Sequence, residues 1–129
     1  MNLKHTRDDR IRNFGFGSRD PKKAALNACK TNYDSFSTSH QTANRFSLFL
    51  SWLRENGMGI SDLREIKEKH LISYASDLTI RVNKGQVAIA TAHHYISSVN
   101  TVMKIITGEK KLFISTRFDT PIPARCYIA

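Results

Sequence analysis

Cysteine is scarce in this chain of 129 residues, and the two that occur, Cys29 and Cys126, lie far apart. Their spacing fits neither a zinc-binding nor a redox motif, so we expect buried or incidental thiols rather than a disulfide. The five histidines show no metal-binding spacing either. The sequence therefore predicts neither a bound metal nor a cofactor.

Long apolar runs are also absent. No stretch approaches the roughly 18 residues that cross a membrane, and the first residues, MNLKHTRDDRIRN, lack the hydrophobic middle of a signal peptide. We therefore expect a cytoplasmic protein with no membrane partner. The length and the hydrophobic content of 40% predict one domain with a modest core.

Signatures of catalysis are missing as well, since no GxSxG, GxGxxG or GxxxxGK spacing occurs. The carboxylates between Asp62 and Glu68 alternate with basic residues, which favours a solvated face over paired acid-base chemistry. His93 and His94 diverge by about 100° on a helix, and Tyr95 has no cluster of arginines, so contact or packing roles are favoured. We predict that the chain alone is not an enzyme.

Acidic residues are missing from two long windows. Lys and Arg outnumber Asp and Glu by 20 to 11, and the net charge of +9 favours anionic partners. No carboxylate occurs between Asp34 and Glu55, or between Asp77 and Glu109. Donors without carboxylates suit the approach of a phosphate backbone. A helix packed on another protein through small residues would show the same pattern.

Apolar spacing and capping residues predict an all-α fold, a compact bundle of four to five helices. The first helix should cover about 21–34, with Asp20 as N-cap and Pro21 in its first position. The second should cover 39–56, capped by Thr38 or Ser39 and followed by a left-handed glycine.

Further helices are expected after Gly57. A short helical piece is predicted at DLREI, and a longer helix should run from Lys67 to about Val82. A long amphipathic helix is predicted within Gln86–Gly108, over about 88–107, because its apolar residues recur at helical spacing.

The pattern divides the chain into three parts. Residues 1–19 are expected to form a basic arm or short helix, and residues 20–108 the helical domain. Residues 109–129 alternate β-branched and aromatic residues and then contain Pro121 and Pro123, which predicts an extended tail or interdomain linker.

Three segments together resemble a known family. They are FSLFLSWLRENG (46–57), ISDLREIKEKHLISY (60–74) and TAHHYISSVNTVMKIITGEK (91–110). The chain resembles, over roughly residues 12–110, the SAM-like N-terminal core-binding domain of phage integrases, the tyrosine recombinases of mobile elements. One departure is that the last helix carries His94, Tyr95 and Asn100 where the family usually has several arginines.

The resemblance implies a DNA-binding domain that clamps one side of a recombination-site duplex during DNA integration and recombination. In such proteins a separate C-terminal domain cuts the DNA, and its catalytic residues have no counterpart here. The implied partners are double-stranded DNA, the C-terminal catalytic domain of the same parent protein, and further copies of the chain on DNA.

The expected DNA contacts come from two sources. The resemblance implies Ser39, Thr42 and Arg45 in the earlier helix and Thr91, His93, His94 and Ser97 in the later one. Charge alone adds Arg81, Lys84 and Lys104. Two alternatives stay open, a helical protein-protein interaction module and a small DNA-binding regulator. A helix-turn-helix regulator is disfavoured because no exposed basic recognition helix follows DLREI.

Overall fold

The computed structural model describes residues 8, 10–32 and 36–108, which form four α-helices. These are α1 (Pro21–Asn32), α2 (Phe36–Glu55), α3 (Glu68–Asn83) and α4 (Ile89–Thr107), with two short 3-10 segments at Arg12–Gly15 and Leu63–Glu65. Those residues contain no strand, which confirms the predicted all-α class. Within them, none of the helices has the length and apolarity to cross a membrane. The predicted tail at 109–129 lies outside the described residues.

Helix ends largely follow the predicted start and stop residues. The Asp20 carboxylate accepts a hydrogen bond from the backbone N–H of Lys22 at 3.1 Å, which caps the start of α1. Gly57 after α2 and Gly108 after α4 have φ of 73° and 68°. Such positive φ values suit glycine because it has no Cβ to clash with the preceding turn.

The start of α2 differs from the prediction. The helix begins at Phe36, so neither Thr38 nor Ser39 is its N-cap. Ser39 is buried, and its hydroxyl donates to the carbonyl of Cys29 in α1 at 3.5 Å. The hydroxyl that was expected to cap α2 therefore bonds a neighbouring helix instead, and the turn before it is helical.

Large apolar side chains from α2, α3 and α4 form the core, while α1 contributes small ones. The buried residues of α1 are Ala24, Ala25, Ala28 and Cys29. Their small size lets α1 pack closely on both α2 and α4. Tyr74 of α3 stacks at a tilt on Phe49 and Trp52 of α2, with ring centroids 4.9 and 5.2 Å apart.

The core also extends to the N-terminal side of residue 20, the predicted domain boundary. Phe14 and Phe16 are buried in it. Asn13 fixes this segment, since its N–H donates to Asp62 Oδ1 at 2.8 Å and its side-chain oxygen accepts from the N–H of Leu63 at 2.7 Å. Residues 12–16 are therefore a docked part of the bundle, and Asn13 and Phe14 have left-handed backbone angles there, with φ of 54° and 59°.

Candidate nucleic-acid interface

The two helices predicted to contact DNA lie side by side and leave an open groove of about 340 Å³ between them. The lining residues are Gln41, Asn44, Arg45 and Leu48 of α2 and Thr91, His94 and Tyr95 of α4. Arg45 spans the groove, because its Nη1 lies 3.4 Å from the hydroxyl oxygen of Ser98 on α4. Among the residues that the structure describes, no carboxylate lines the groove.

The outer face of α4 continues this surface. His94, Ser97 and Lys104 are exposed at helical spacing, and Thr101 between them donates its hydroxyl to the carbonyl of Ser97 at 2.9 Å. We call the groove residues together with Ser97, Thr101 and Lys104 the α2–α4 surface. It carries hydroxyl, amide, imidazole and basic groups and no acid.

The structure brings together five of the ten predicted contacts on the α2–α4 surface. These are Arg45, Thr91, His94, Ser97 and Lys104. His93 is adjacent in sequence but half-buried, and it is not one of the residues that line the groove.

Ser39 and Thr42 do not belong to that surface. Ser39 is 1% exposed and Thr42 is 9% exposed, so both lie inside the bundle. The prediction carried them over from the family resemblance, but they lie seven and four residues before the buried Phe46 and therefore share its inward face. With the helix starting at Phe36, their direct contact with a duplex conflicts with their burial.

Arg81 and Lys84 lie at the end of α3, outside the groove. Arg81 Nε lies 2.7 Å from Asp77 Oδ2, one helical turn away, so a neighbouring carboxylate compensates its charge. Lys84 is exposed at the C-cap of α3, where a positive charge also favours the helix dipole. Neither residue is one of those that line the groove.

Sequence reasoning missed a third acid-free helix. No carboxylate occurs in α1, and its Lys23 and Lys30 are exposed two turns apart. Lys22 is instead tied to α2, where its Nζ donates to the Ser51 hydroxyl at 2.8 Å. The window between Asp20 and Asp34 was the available sequence signal.

Acidic residues collect elsewhere, around the second 3-10 segment and α3. Burial raises the pKa of Asp62, but hydrogen bonds from the Arg64 side chain and from the N–H groups of Arg64 and Asn13 lower it more, to about 2. Cys29 is buried, which raises the pKa of its thiol to about 11 and makes it a poor nucleophile. Among the described residues, no group of His, Cys, Asp and Glu is arranged to hold a metal ion.

The described part of the chain thus presents one acid-free surface with a groove and one region of paired charges. Comparison with known proteins adds no further assignment. No family model, no curated protein and no solved structure matches the chain.

Proposed function

We propose that the chain is a double-stranded DNA-binding domain that places the α2–α4 surface against the duplex. The observation that carries the proposal is the groove between α2 and α4, lined by donors and by no carboxylate. The resemblance of three segments to tyrosine recombinases makes this the core-binding domain of a site-specific recombinase or phage integrase. Catalysis then belongs to a C-terminal domain of the same parent protein, acting in the cytoplasm.

Phosphate contacts explain the composition of the surface. Arg45 and Lys104 supply charge, while the hydroxyls of Thr91 and Ser97 supply short donors that fix the register on the backbone. Lys23 and Lys30 on α1 add positive charge to the same bundle. With so few basic groups, affinity for an arbitrary duplex should lie on the order of 10⁻⁴ to 10⁻⁶ M and fall with salt.

A salt titration with two matched lysine variants tests the proposal. Duplex binding of the 129-residue chain is measured by fluorescence anisotropy between about 50 and about 200 mM salt. Lys104→Ala should weaken binding and reduce the slope of log K against log salt by about 1. Lys69→Ala removes the same charge from an exposed position beside Glu65 and Glu68, and it should leave the slope unchanged. Binding that is insensitive to salt, or equal loss in both variants, would refute the proposal.

The recombinase part has a separate test in the reading frame of the parent gene. A following region of roughly two hundred residues with an arginine, a His-x-x-Arg motif and a late tyrosine would support it. The family resemblance implies this further domain, and about two hundred residues is within the usual size of one domain. A DNA-binding chain without such a region would instead be a small regulator.

A second candidate, a protein interaction module, is favoured by exposed isoleucines on α3. Ile72 is 46% exposed and Ile80 is 51% exposed, about two helical turns apart on one face. The double variant Ile72→Lys, Ile80→Lys should abolish self-association on DNA or partner binding if this face docks protein. If the double variant changes neither self-association on DNA nor partner binding, and its DNA affinity is intact, the second candidate fails.

A further inference from the structure

We propose that Gln41, Asn44 and Leu48 read base edges in the major groove and give the domain a preference for A·T pairs. The inference rests on the proposed DNA binding and names the sequence class that it favours. The three residues line one side of the groove between α2 and α4.

Their spacing suits direct contact with stacked base pairs. Residues at i, i+3 and i+7 lie on one helical face, and all three side chains are exposed. At about 1.5 Å per residue they span about 10 Å, which matches about three base pairs at about 3.4 Å each. A helix of this kind fits the width of the major groove.

The two amides have hydrogen-bonding capacity that the bundle does not use. Within the described part of the chain, neither Gln41 nor Asn44 makes a side-chain hydrogen bond. By contrast, the amides of Asn13, Asn27 and Asn56 each donate to a backbone carbonyl at 2.8, 2.6 and 2.8 Å. A primary amide offers one donor and one acceptor side by side, the pattern that adenine complements through N7 and N6.

The neighbouring groups favour A·T over G·C. Leu48 is 50% exposed beside the amides, and an apolar side chain there suits the methyl group of thymine. Cytosine is read by a carboxylate acceptor, and none lines the groove. Guanine is read by a bidentate arginine, but Arg45 is directed across the groove to Ser98.

Selection from a pool of random duplexes tests the inference. The wild-type chain should enrich about three adjacent positions in A·T pairs. Gln41→Ala and Asn44→Ala should each lower the ratio of selected to random duplex affinity by about tenfold. The salt slope of duplex binding should be unchanged, because neither residue carries charge. Asn83→Ala and Gln86→Ala, exposed amides outside the groove, are the matched controls.

Leu48 has a more specific readout. Replacing thymine by uracil in the selected duplex removes the methyl group, so it should weaken wild-type binding and leave the binding of Leu48→Ala unchanged. The inference is overturned if the selection enriches G·C pairs or no sequence. It is also overturned if the amide variants keep the wild-type preference. Salt-dependent duplex binding, and with it the proposed function, would remain in both cases. Absence of salt-dependent duplex binding would instead remove the proposed function itself.

Discussion

The acid-bearing region from Glu55 to Asp77 and the α2–α4 surface use polar residues in opposite ways. In the first, polar groups pair within the chain: Arg64 lies 2.7 Å from Asp62, and the Ser61 hydroxyl lies 3.1 Å from a Glu65 carboxylate oxygen. On the second, the amides of Gln41 and Asn44 are exposed and directed outward. The difference teaches that polarity supports the fold in one region, whereas in the other the two amides are left exposed on the surface.

This comparison makes a general prediction about variants. Substitutions among the paired groups should change the free energy of unfolding and leave DNA affinity per folded molecule intact. Substitutions on the α2–α4 surface should do the reverse, because exposed positions contribute little to stability.

The largest effect on stability is expected for Asn13→Ala. The change leaves the N–H of Leu63 and the carbonyl of Ser18 without their partner, and it places alanine at φ of 54°. Unpaired buried groups cost about 1–3 kcal/mol and the left-handed backbone about 1 kcal/mol, so the free energy of unfolding should fall by about 3 kcal/mol. Urea unfolding followed by circular dichroism measures it.

The control applies the same substitution to the other region. Asn44→Ala removes an amide without a bonding partner in the described bundle, so its unfolding midpoint should match that of the wild type. Equal destabilisation by the two variants would show that the amides of both regions support the fold, and the comparison would fail.

Asp62 sharpens the comparison through pH. Its folded pKa of about 2 lies below the ordinary 3.8, so its stabilising effect is present above about pH 4 and is lost as pH falls towards 2. The lost contribution is about 2 kcal/mol. In Asp62→Asn this group does not titrate. The difference in free energy of unfolding between wild type and Asp62→Asn, measured with urea, should therefore narrow by about 2 kcal/mol from pH 5 to pH 2. A difference that stays constant would contradict the stabilising role of the Asp62 carboxylate.

Local patterns predicted the helices well because their determinants are local. Apolar spacing gave four helices, and Pro21 and Gly57 marked ends that follow from backbone chemistry alone. The DNA contacts themselves stay a prediction, but the structure brings some of the predicted residues together. Arg45 and His94 meet in one groove because both acid-free helices turn their polar faces the same way.

Two of the misses come from tertiary contacts that no local pattern contains. The sequence predicts Ser39 as a candidate N-cap, but in the structure its hydroxyl donates to the carbonyl of Cys29 on another helix. Arg81 is a different case, because it pairs with Asp77 at i,i+4 on the same helix, and this local pattern was present in the sequence but was overlooked. The docking of Asn13 onto Asp62 joins residues about fifty positions apart, and helical periodicity carries no information about such pairs.

A carboxylate added to each region tests the charge part of the comparison. Ser97→Glu places a negative charge on the α2–α4 surface and should lower duplex affinity about tenfold at low salt, because it repels phosphate. Ser76→Glu adds the same charge to α3 near Asp77 and should change affinity little. Anisotropy titrations at about 50 mM salt measure both. Equal losses would show that net charge alone, and not this surface, controls binding.

The smallest expected change in stability comes from the titration of His70, which lies in the region of paired polar groups. Its Nδ1 accepts the backbone N–H of Lys67 at 2.8 Å, which caps α3, and burial together with Lys69 and Lys67 lowers its pKa below the ordinary 6.5. The neutral ring is therefore the stabilising form, so stability present above about pH 6.5 is lost as pH falls through the lower folded pKa. His70→Gln keeps an acceptor at this helix position but does not titrate. Between pH 7.5 and pH 5 its free energy of unfolding, measured with urea, should therefore fall less than that of the wild type, by a difference below about 1 kcal/mol. The control, His94→Gln, removes a histidine from the α2–α4 surface and keeps His70, so the loss of stability between pH 7.5 and pH 5 should persist. If His70→Gln shows the same loss of stability, His70 at the cap of α3 is not the titrating group.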